Sequence, residues 1–127
     1  MTNDEPNGKR IYDLEDRTAK FGEQIIVFAR KLPKDVITTP IISQLIRSAT
    51  SVGANYAEAD DAQSKNDFRH KVAIVKKEAR ETKHWLRMLT TALPEHKVEI
   101  NNLWREANEL HLIFAAIIRS SLVNRNS

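Results

Sequence analysis

Apolar residues recur along this sequence at alternating steps of four and three, the spacing that places side chains on one face of an α-helix. The most regular segment carries Phe68, Val72, Val75, Ala79, Thr82, Leu86, Leu89 and Leu93. Three further segments repeat the rhythm with Leu14, Thr18, Phe21, Ile25, Phe28 and Leu32; with Ile42, Leu45, Ala49, Val52, Tyr56 and Ala59; and with Ile100, Leu103, Ala107, Leu110, Phe114 and Ile117. The pattern predicts four amphipathic helices.

Prolines and helix-capping residues separate the four segments. Pro33 and Pro94 close the first and third segments, and the Thr-Thr-Pro run at residues 38–40 favours a threonine cap at the start of the second. Ser64 and Asp67 fit a capping box at the start of the third. We expect helices at about 13–32, 39–62, 65–93 and 95–122, a disordered lead at 1–12 and a frayed tail at 123–127.

Four helices of similar period joined by short connections favour antiparallel neighbours that cross at small angles. The length of 127 residues suits a single domain. No strand-like alternation or hairpin dipeptide competes with this interpretation. The predicted fold is therefore all-α, an antiparallel up-and-down four-helix bundle. Gly53, beside the second apolar seam, predicts close approach of a neighbouring backbone.

The composition narrows the cellular setting. Cysteine is absent, so the sequence offers neither a disulfide framework nor a thiolate metal site. The first ten residues are polar and mixed in charge, unlike a secretory signal. The longest apolar run, residues 112–118, is far shorter than the roughly 20 residues that span a bilayer. We expect a cytoplasmic protein with no membrane contact.

A row of cations on the third helix is the strongest functional signal. The formal charge of +3 is too small by itself to indicate nucleic acid. Five cations nevertheless share one face of the helix, with Ala73 as the one interruption, and we call them the basic stripe: Arg69, Lys76, Arg80, Lys83 and Arg87. Such a row fits phosphates on a nucleic acid backbone. The alternative is an ordinary solvated face. No aromatic residue interleaves the row, which favours backbone contacts over base stacking.

The opposite side of the third helix mixes apolar and charged residues. We call it the mixed flank, and it comprises Lys71, Ile74, Glu78, Glu81, Trp85 and Met88. A monomer with this flank exposed would present tryptophan and methionine, which are enriched in interface cores, and its glutamates would need cations from a neighbouring chain. We expect a subunit interface here. Alternatively, Trp85 covers the edge of its own bundle.

Catalytic and metal-binding patterns are weak. Di-iron bundles use a Glu-x-x-His motif on each of two helices, and the sequence has one copy, Glu81 with His84. The other three histidines lack helical ligand spacing. No nucleophile motif, phosphate loop or dinucleotide fingerprint occurs. We expect no enzyme, no metal and no cofactor, with a metal-dependent enzyme as a minor alternative.

Residues 51–89, SVGANYAEADDAQSKNDFRHKVAIVKKEARETKHWLRML, carry a family resemblance. The SxxxANYAEA stretch and the SKxDF start of the third helix resemble bacterial four-helix-bundle proteins encoded in intervening sequences of large-subunit ribosomal RNA genes. That family includes the accessory variability determinant of diversity-generating retroelements. Many relatives have glycine after the Ala-Glu pair, whereas this chain has Ala59, Asp60 and Asp61.

The resemblance implies a homopentamer with no known catalysis. It also implies nucleic-acid binding, and for the retroelement member a reverse transcriptase and RNA as partners. Our first hypothesis is a homo-oligomeric bundle that binds RNA or DNA by its backbone through the basic stripe. The alternative is a protein-binding scaffold or accessory subunit, in which the same face recruits an acidic partner such as a reverse transcriptase.

Overall fold

A computed structural model describes the backbone of residues 13–126 and the side chains of residues 13–121. It contains four α-helices, which we label α1 (Leu14–Arg30), α2 (Thr38–Asp60), α3 (Lys65–Ala92) and α4 (Lys97–Asn126), and a 3-10 turn (Pro94–His96) that precedes α4. Residues 13–126 include no strand. Each helix packs against the next along the chain, so the predicted all-α up-and-down bundle is confirmed.

The helix limits differ from the expected ones by a few residues. Because Pro94 begins a 3-10 turn, α4 starts two residues later than expected, and it continues to Asn126 instead of ending near residue 122. The sequence between 122 and 126 contains neither glycine nor proline, so nothing in it ends a helix. The predicted disordered lead at 1–12 lies outside the described residues.

Two side chains in the first connection hold the end of α1 and the start of α2. The Lys34 ammonium donates hydrogen bonds to the carbonyl oxygens of Ala29 (2.8 Å), in the last turn of α1, and Leu32 (2.9 Å), just after the helix. The Asp35 carboxylate accepts from the backbone N–H groups of Ile37 and Thr38, each at 2.9 Å. The expected threonine cap is wrong, because Asp35 supplies the capping oxygen, and these two hydrogen bonds lower the pKa of the Asp35 carboxyl.

The start of α3 follows the expected chemistry in part. Ser64 has extended backbone, and its hydroxyl accepts a hydrogen bond from the backbone N–H of Asp67 at 3.1 Å. The return bond, in which the Ser64 backbone N–H would donate to the Asp67 carboxylate and complete a capping box, does not form in the described chain. The serine cap is therefore confirmed, and aspartate is too short to reproduce the glutamate of a full capping box.

The core forms where the four apolar seams meet, and most of the residues chosen by periodicity are buried. Phe21, Ile25, Leu45, Leu86 and Phe114 have at most 1% of their surface exposed. Two threonines stand in the seams because their hydroxyl groups find acceptors within their own helices. Thr18 donates to the carbonyl oxygen of Leu14, and the Thr82 hydroxyl lies 2.8 Å from the carbonyl oxygen of Glu78. A buried hydroxyl without such a partner would be costly.

Glycine allows α1 and α2 to pack closely. A Cβ atom added to Gly53 would lie 3.3 Å from the backbone of Thr18 and Ala19 on α1. The close approach predicted at Gly53 is confirmed. A Cβ atom on Gly22 would meet Thr50 on α2 at 3.4 Å, which is closer to ordinary contact. The two glycines thus lie on facing sides of one tight helix crossing.

Candidate nucleic-acid interface

The basic stripe lies along the groove between α3 and α4. Its fourth residue, Lys83, lies with its ammonium 2.9 Å from Asn108 Oδ1 and 3.1 Å from His111 Nδ1, and both of these residues belong to α4. Lys76 and Arg80 are close enough to act electrostatically on His111. The stripe is therefore not a fully solvated outer face, because Lys76, Lys83 and Arg69 are half-buried whereas Arg80 and Arg87 are exposed.

None of the five stripe cations forms an ion pair with a carboxylate among the described side chains. Some contacts between other pairs of helices, in contrast, contain ion pairs. Arg17 of α1 pairs with Glu106 (2.8 Å) and Glu109 (2.6 Å) of α4, and Lys31 pairs with Glu99 at 2.7 Å. The α2–α3 seam likewise carries ion pairs. The side of α3 that faces α4 thus carries positive charge that pairs with no carboxylate among the described side chains.

Burial and, after it, the neighbouring cations lower the pKa values of two groove residues. Partial burial lowers the pKa of Lys83, and the nearby Arg80 guanidinium lowers it further. The pKa of His111 is also lowered, first by burial and then by Lys83, Lys76 and Arg80. Both effects favour the neutral imidazole, whose unprotonated Nδ1 can accept a hydrogen bond from the Lys83 ammonium. The groove concentrates cations that an anionic ligand would neutralise.

Each end of the stripe borders an open cavity. Near the start of α3, Arg69 lines a cavity of about 770 Å³ together with Phe68, Ile117 and Ser120. Toward the end of α3, Arg87 lines a cavity of about 360 Å³ between α3 and α4. The basic stripe thus runs from one concave end of the groove to the other.

An aromatic side chain lies in this groove, although none interleaves the stripe in the sequence. Trp104 of α4 lines the cavity of about 360 Å³, and the Lys83 ammonium lies 5.4 Å from the centroid of the indole ring, in range of a cation–π contact. The lack of an aromatic residue within the stripe sequence is therefore no argument against base stacking in the folded protein. The pattern of α3 alone could not place Trp104 beside the stripe, because Trp104 belongs to a different helix and reaches the stripe only through packing.

The mixed flank lies against α2 and is only partly exposed in the single chain. Arg47 of α2 pairs with Glu81 at 2.6 Å and lies 3.4 Å from Glu78, and Glu58 of α2 pairs with Lys71 at 2.6 Å. The expectation that a neighbouring chain supplies these partners is wrong, because Arg47 and Glu58 of the same chain supply them. The choice of this flank as a subunit interface stays a prediction.

The pKa values of the two glutamates that share Arg47 are shifted in opposite directions. Burial raises the pKa of Glu78, and the nearby Glu81 carboxylate adds to this effect. The hydrogen bond from Arg47 lowers the pKa of Glu81. The remaining flank residues Ile74, Trp85 and Met88 are half-buried. Trp85 packs against the core, and its buried indole N–H has no hydrogen-bond partner in the described structure.

The described residues contain no group of three or more side chains suited to holding a metal ion. Glu81 is engaged by Arg47, and His84 is exposed with its ring against Trp85 at 4.9 Å. His96 lies 3.6 Å from Glu99 and contacts the edge of Phe28. Within the described part of the chain, no helix has the length and apolar character needed to cross a membrane.

The fold and the groove define an all-α four-helix-bundle protein with a cationic seam between its last two helices. The sequence model of the 23S rRNA-intervening sequence protein family matches residues 12–116. The chain belongs to that family. A similar solved structure is a protein of unknown function from the S23 ribosomal protein family of Bacteroides thetaiotaomicron VPI-5482. It is 30% identical, with a TM-score of 0.73 over 82% of this chain and 96% of that one. No curated protein matches the sequence significantly.

Proposed function

We propose that this protein binds nucleic acid, RNA or DNA, by the phosphate backbone through the basic stripe. The observation that carries the proposal is the absence of carboxylate partners for Arg69, Lys76, Arg80, Lys83 and Arg87 among the described side chains. Several cations elsewhere on the bundle, Arg17 and Arg47 among them, are paired within the chain. An unpaired row of cations in a groove attracts a polyanion and releases its counterions on contact.

The proposal assigns the protein a binding role and no catalysis. Since base-edge readout requires side chains that enter a nucleic acid groove, a row of cations gives affinity with little sequence preference. Several copies of the stripe in a homopentamer, the assembly that the family resemblance implies, would reinforce one another on a long strand. The resemblance thus supports both parts of the proposal, the oligomer and the nucleic acid.

A charge-removal variant tests the proposal. Replacing Arg80, Lys83 and Arg87 together with glutamine should weaken binding to a labelled RNA. Each lost phosphate contact lowers the steepness of the salt dependence, so three of them should reduce the logarithmic slope by about two for a single strand. Helicity should be unchanged because these side chains avoid the apolar seams. Binding is measured by fluorescence anisotropy across a series of salt concentrations.

A second triple variant, in which Lys20, Arg30 and Lys77 are replaced with glutamine, is the matched control. It removes the same charge from exposed positions outside the stripe. It should therefore retain most of the affinity. Equal losses in the two triple variants would overturn the stripe as the contact surface. If the wild type binds no nucleic acid at low salt, the proposal fails, and an acidic protein partner for the same face becomes the better account.

A further inference from the structure

The cavity at the Arg87 end of the stripe combines a flat apolar wall with a cationic rim. Leu86 and Ile100 supply buried apolar surface, and Trp104 contributes a half-buried indole. Thr90, Thr91 and Asn101 add hydrogen-bonding groups, and Arg87 and Lys97 add positive charge. No carboxylate is among the described residues that line it.

Trp104 both lines this cavity and lies beside Lys83 of the stripe. Lys83 contacts Asn108 and His111, which follow Trp104 along α4, whereas the cavity is lined by Lys97, Ile100 and Asn101, which precede it. Along α4, the residues that Lys83 contacts therefore lie on the C-terminal side of Trp104, and the other α4 residues that line the cavity lie on its N-terminal side. A planar ligand in the cavity would have the indole beside it and unpaired cations at both ends.

The volume of about 360 Å³ is at the small end of the range for ligand sites, roughly 300–1,000 Å³. It is an open groove, so a chain that continues in both directions can enter it. A duplex keeps its bases stacked inside the helix and cannot present one to such a wall. An unpaired base can be turned out and stacked on an aromatic side chain.

We infer that the cavity beside Trp104 takes one unpaired base of a single-stranded nucleic acid whose neighbouring phosphates lie on Lys83 and Arg87. This inference rests on the proposed function, and it adds the substrate class: single strands in preference to duplexes. Stacking on an indole tolerates any base, because every base has a π face, so it adds affinity without sequence specificity. Asn101, Thr90 and Thr91 line the same cavity and would offer hydrogen-bond partners to the polar edge of the base.

The first test changes the ligand and leaves the protein intact. An oligothymidylate of about 12 nucleotides is compared with an abasic oligodeoxyribonucleotide of equal length, which keeps the phosphates and lacks the bases. Wild-type protein should bind the oligothymidylate roughly 5- to 100-fold more tightly, since stacking contributes about 1–3 kcal/mol per base. The salt dependence should be the same for both, because the phosphate contacts are shared. Equal affinities would overturn the base site and leave the backbone proposal standing.

The second test changes the indole. Trp104→Leu keeps an apolar side chain and removes the stacking surface, so it should abolish the preference for the oligothymidylate over the abasic strand. Trp104→Phe keeps an aromatic face and should retain most of the preference. Neither variant should alter binding to a duplex of the same length. A parallel loss for single strand, abasic strand and duplex would overturn the inference by assigning Trp104 a structural role.

The outcomes separate the two proposals. Wild-type protein that binds neither strand at low salt removes the proposed function and this inference with it. Wild-type protein that binds the duplex as tightly as the single strand retains the function and overturns the base site. If Trp104→Leu fails to fold, as judged by circular dichroism, the comparison of oligothymidylate with the abasic strand on the wild type still decides.

Discussion

Lys83 and His111 face each other across the groove between α3 and α4, with the Lys83 ammonium 3.1 Å from His111 Nδ1. A protonated imidazole at this distance would place two cations in contact, and burial adds to the penalty. The described charged groups that act on His111, Lys76, Arg80 and Lys83, all belong to α3 and are all positive. The pKa of His111 is therefore a direct measure of the electrostatic effect of the stripe cations.

We predict that His111 titrates below the ordinary histidine pKa of about 6.5 and that Lys83→Met raises its pKa toward that value. Because the folded pKa is below the unfolded one, the free energy of unfolding should fall as the pH drops below about 6.5, and it should fall less in the variant. An NMR titration of the imidazole measures the pKa. Lys77→Met, on an exposed position, is the control, and an unchanged pKa in Lys83→Met would refute the prediction.

Binding of nucleic acid at the stripe should be coupled to the uptake of a proton by His111. Phosphates near Lys76, Arg80 and Lys83 would offset the field that holds the His111 pKa down. Since binding then raises this pKa, affinity should increase as the pH falls from about 7.5 to 5.5. His111→Gln should remove most of this dependence while it preserves binding at the higher pH. The same pH profile in wild type and variant would exclude His111 as the linked group.

Arg47 should contribute to stability by neutralising Glu78, whose side chain is 12% exposed. We expect Arg47→Met to lower the free energy of unfolding by about 1 kcal/mol, a value kept small because Arg47 itself is half-exposed. The loss of the cation raises the already elevated pKa of Glu78, so the destabilisation should be greater at neutral pH than under acid conditions.

Glu78→Gln in the Arg47→Met background should recover part of the lost stability, because it removes the unpaired buried charge. Lys20→Met breaks an exposed ion pair with Asp16 and should leave the unfolding transition in place. Urea denaturation followed by circular dichroism measures each variant. A double variant no more stable than Arg47→Met would contradict this account of Glu78.

The two glycines of the α1–α2 crossing should respond oppositely to alanine. Gly22→Ala places its Cβ in nearly ordinary contact with Thr50 and should stabilise the protein by up to about 1 kcal/mol through helix propensity. Gly53→Ala brings its Cβ to 3.3 Å from α1 backbone atoms, which cannot rotate away, and should destabilise by about 1 kcal/mol. Thermal unfolding compares the two, and stabilisation by both would mean that the crossing is loose.

Light scattering should give an assembly of about five 14.6 kDa chains, as the family resemblance implies. If the mixed flank forms the interface, Met88→Glu should dissociate the assembly, because it places a charge among half-buried apolar side chains. Val27→Glu alters an apolar side chain that is 61% exposed on α1. If Val27→Glu dissociates the assembly and Met88→Glu does not, the interface lies on α1. A wild-type protein that is monomeric at micromolar concentrations would refute assembly.

The periodicity of apolar residues was enough to predict the bundle. Apolar side chains spaced at steps of four and three lie on one face of an α-helix, and that face must be buried away from water. Val72, Val75, Ala79 and Leu86 could therefore be assigned to the core without knowledge of their neighbours. The ends of the helices were less certain, because capping depends on a single side chain. Asp35 takes the role expected of threonine at the start of α2.

The position of the basic stripe on one face of α3 also follows from the sequence, since residues on one helix keep a fixed angular relation. Its surroundings do not. Arg47 and Glu58 meet the charges of the mixed flank, and Trp104 and His111 meet the stripe, because α2 and α4 pack on opposite sides of α3. Which charges are neutralised depends on contacts between helices that are distant in sequence. The sequence therefore determined the helices and their charged faces, and the tertiary structure alone decided which cations stay unpaired.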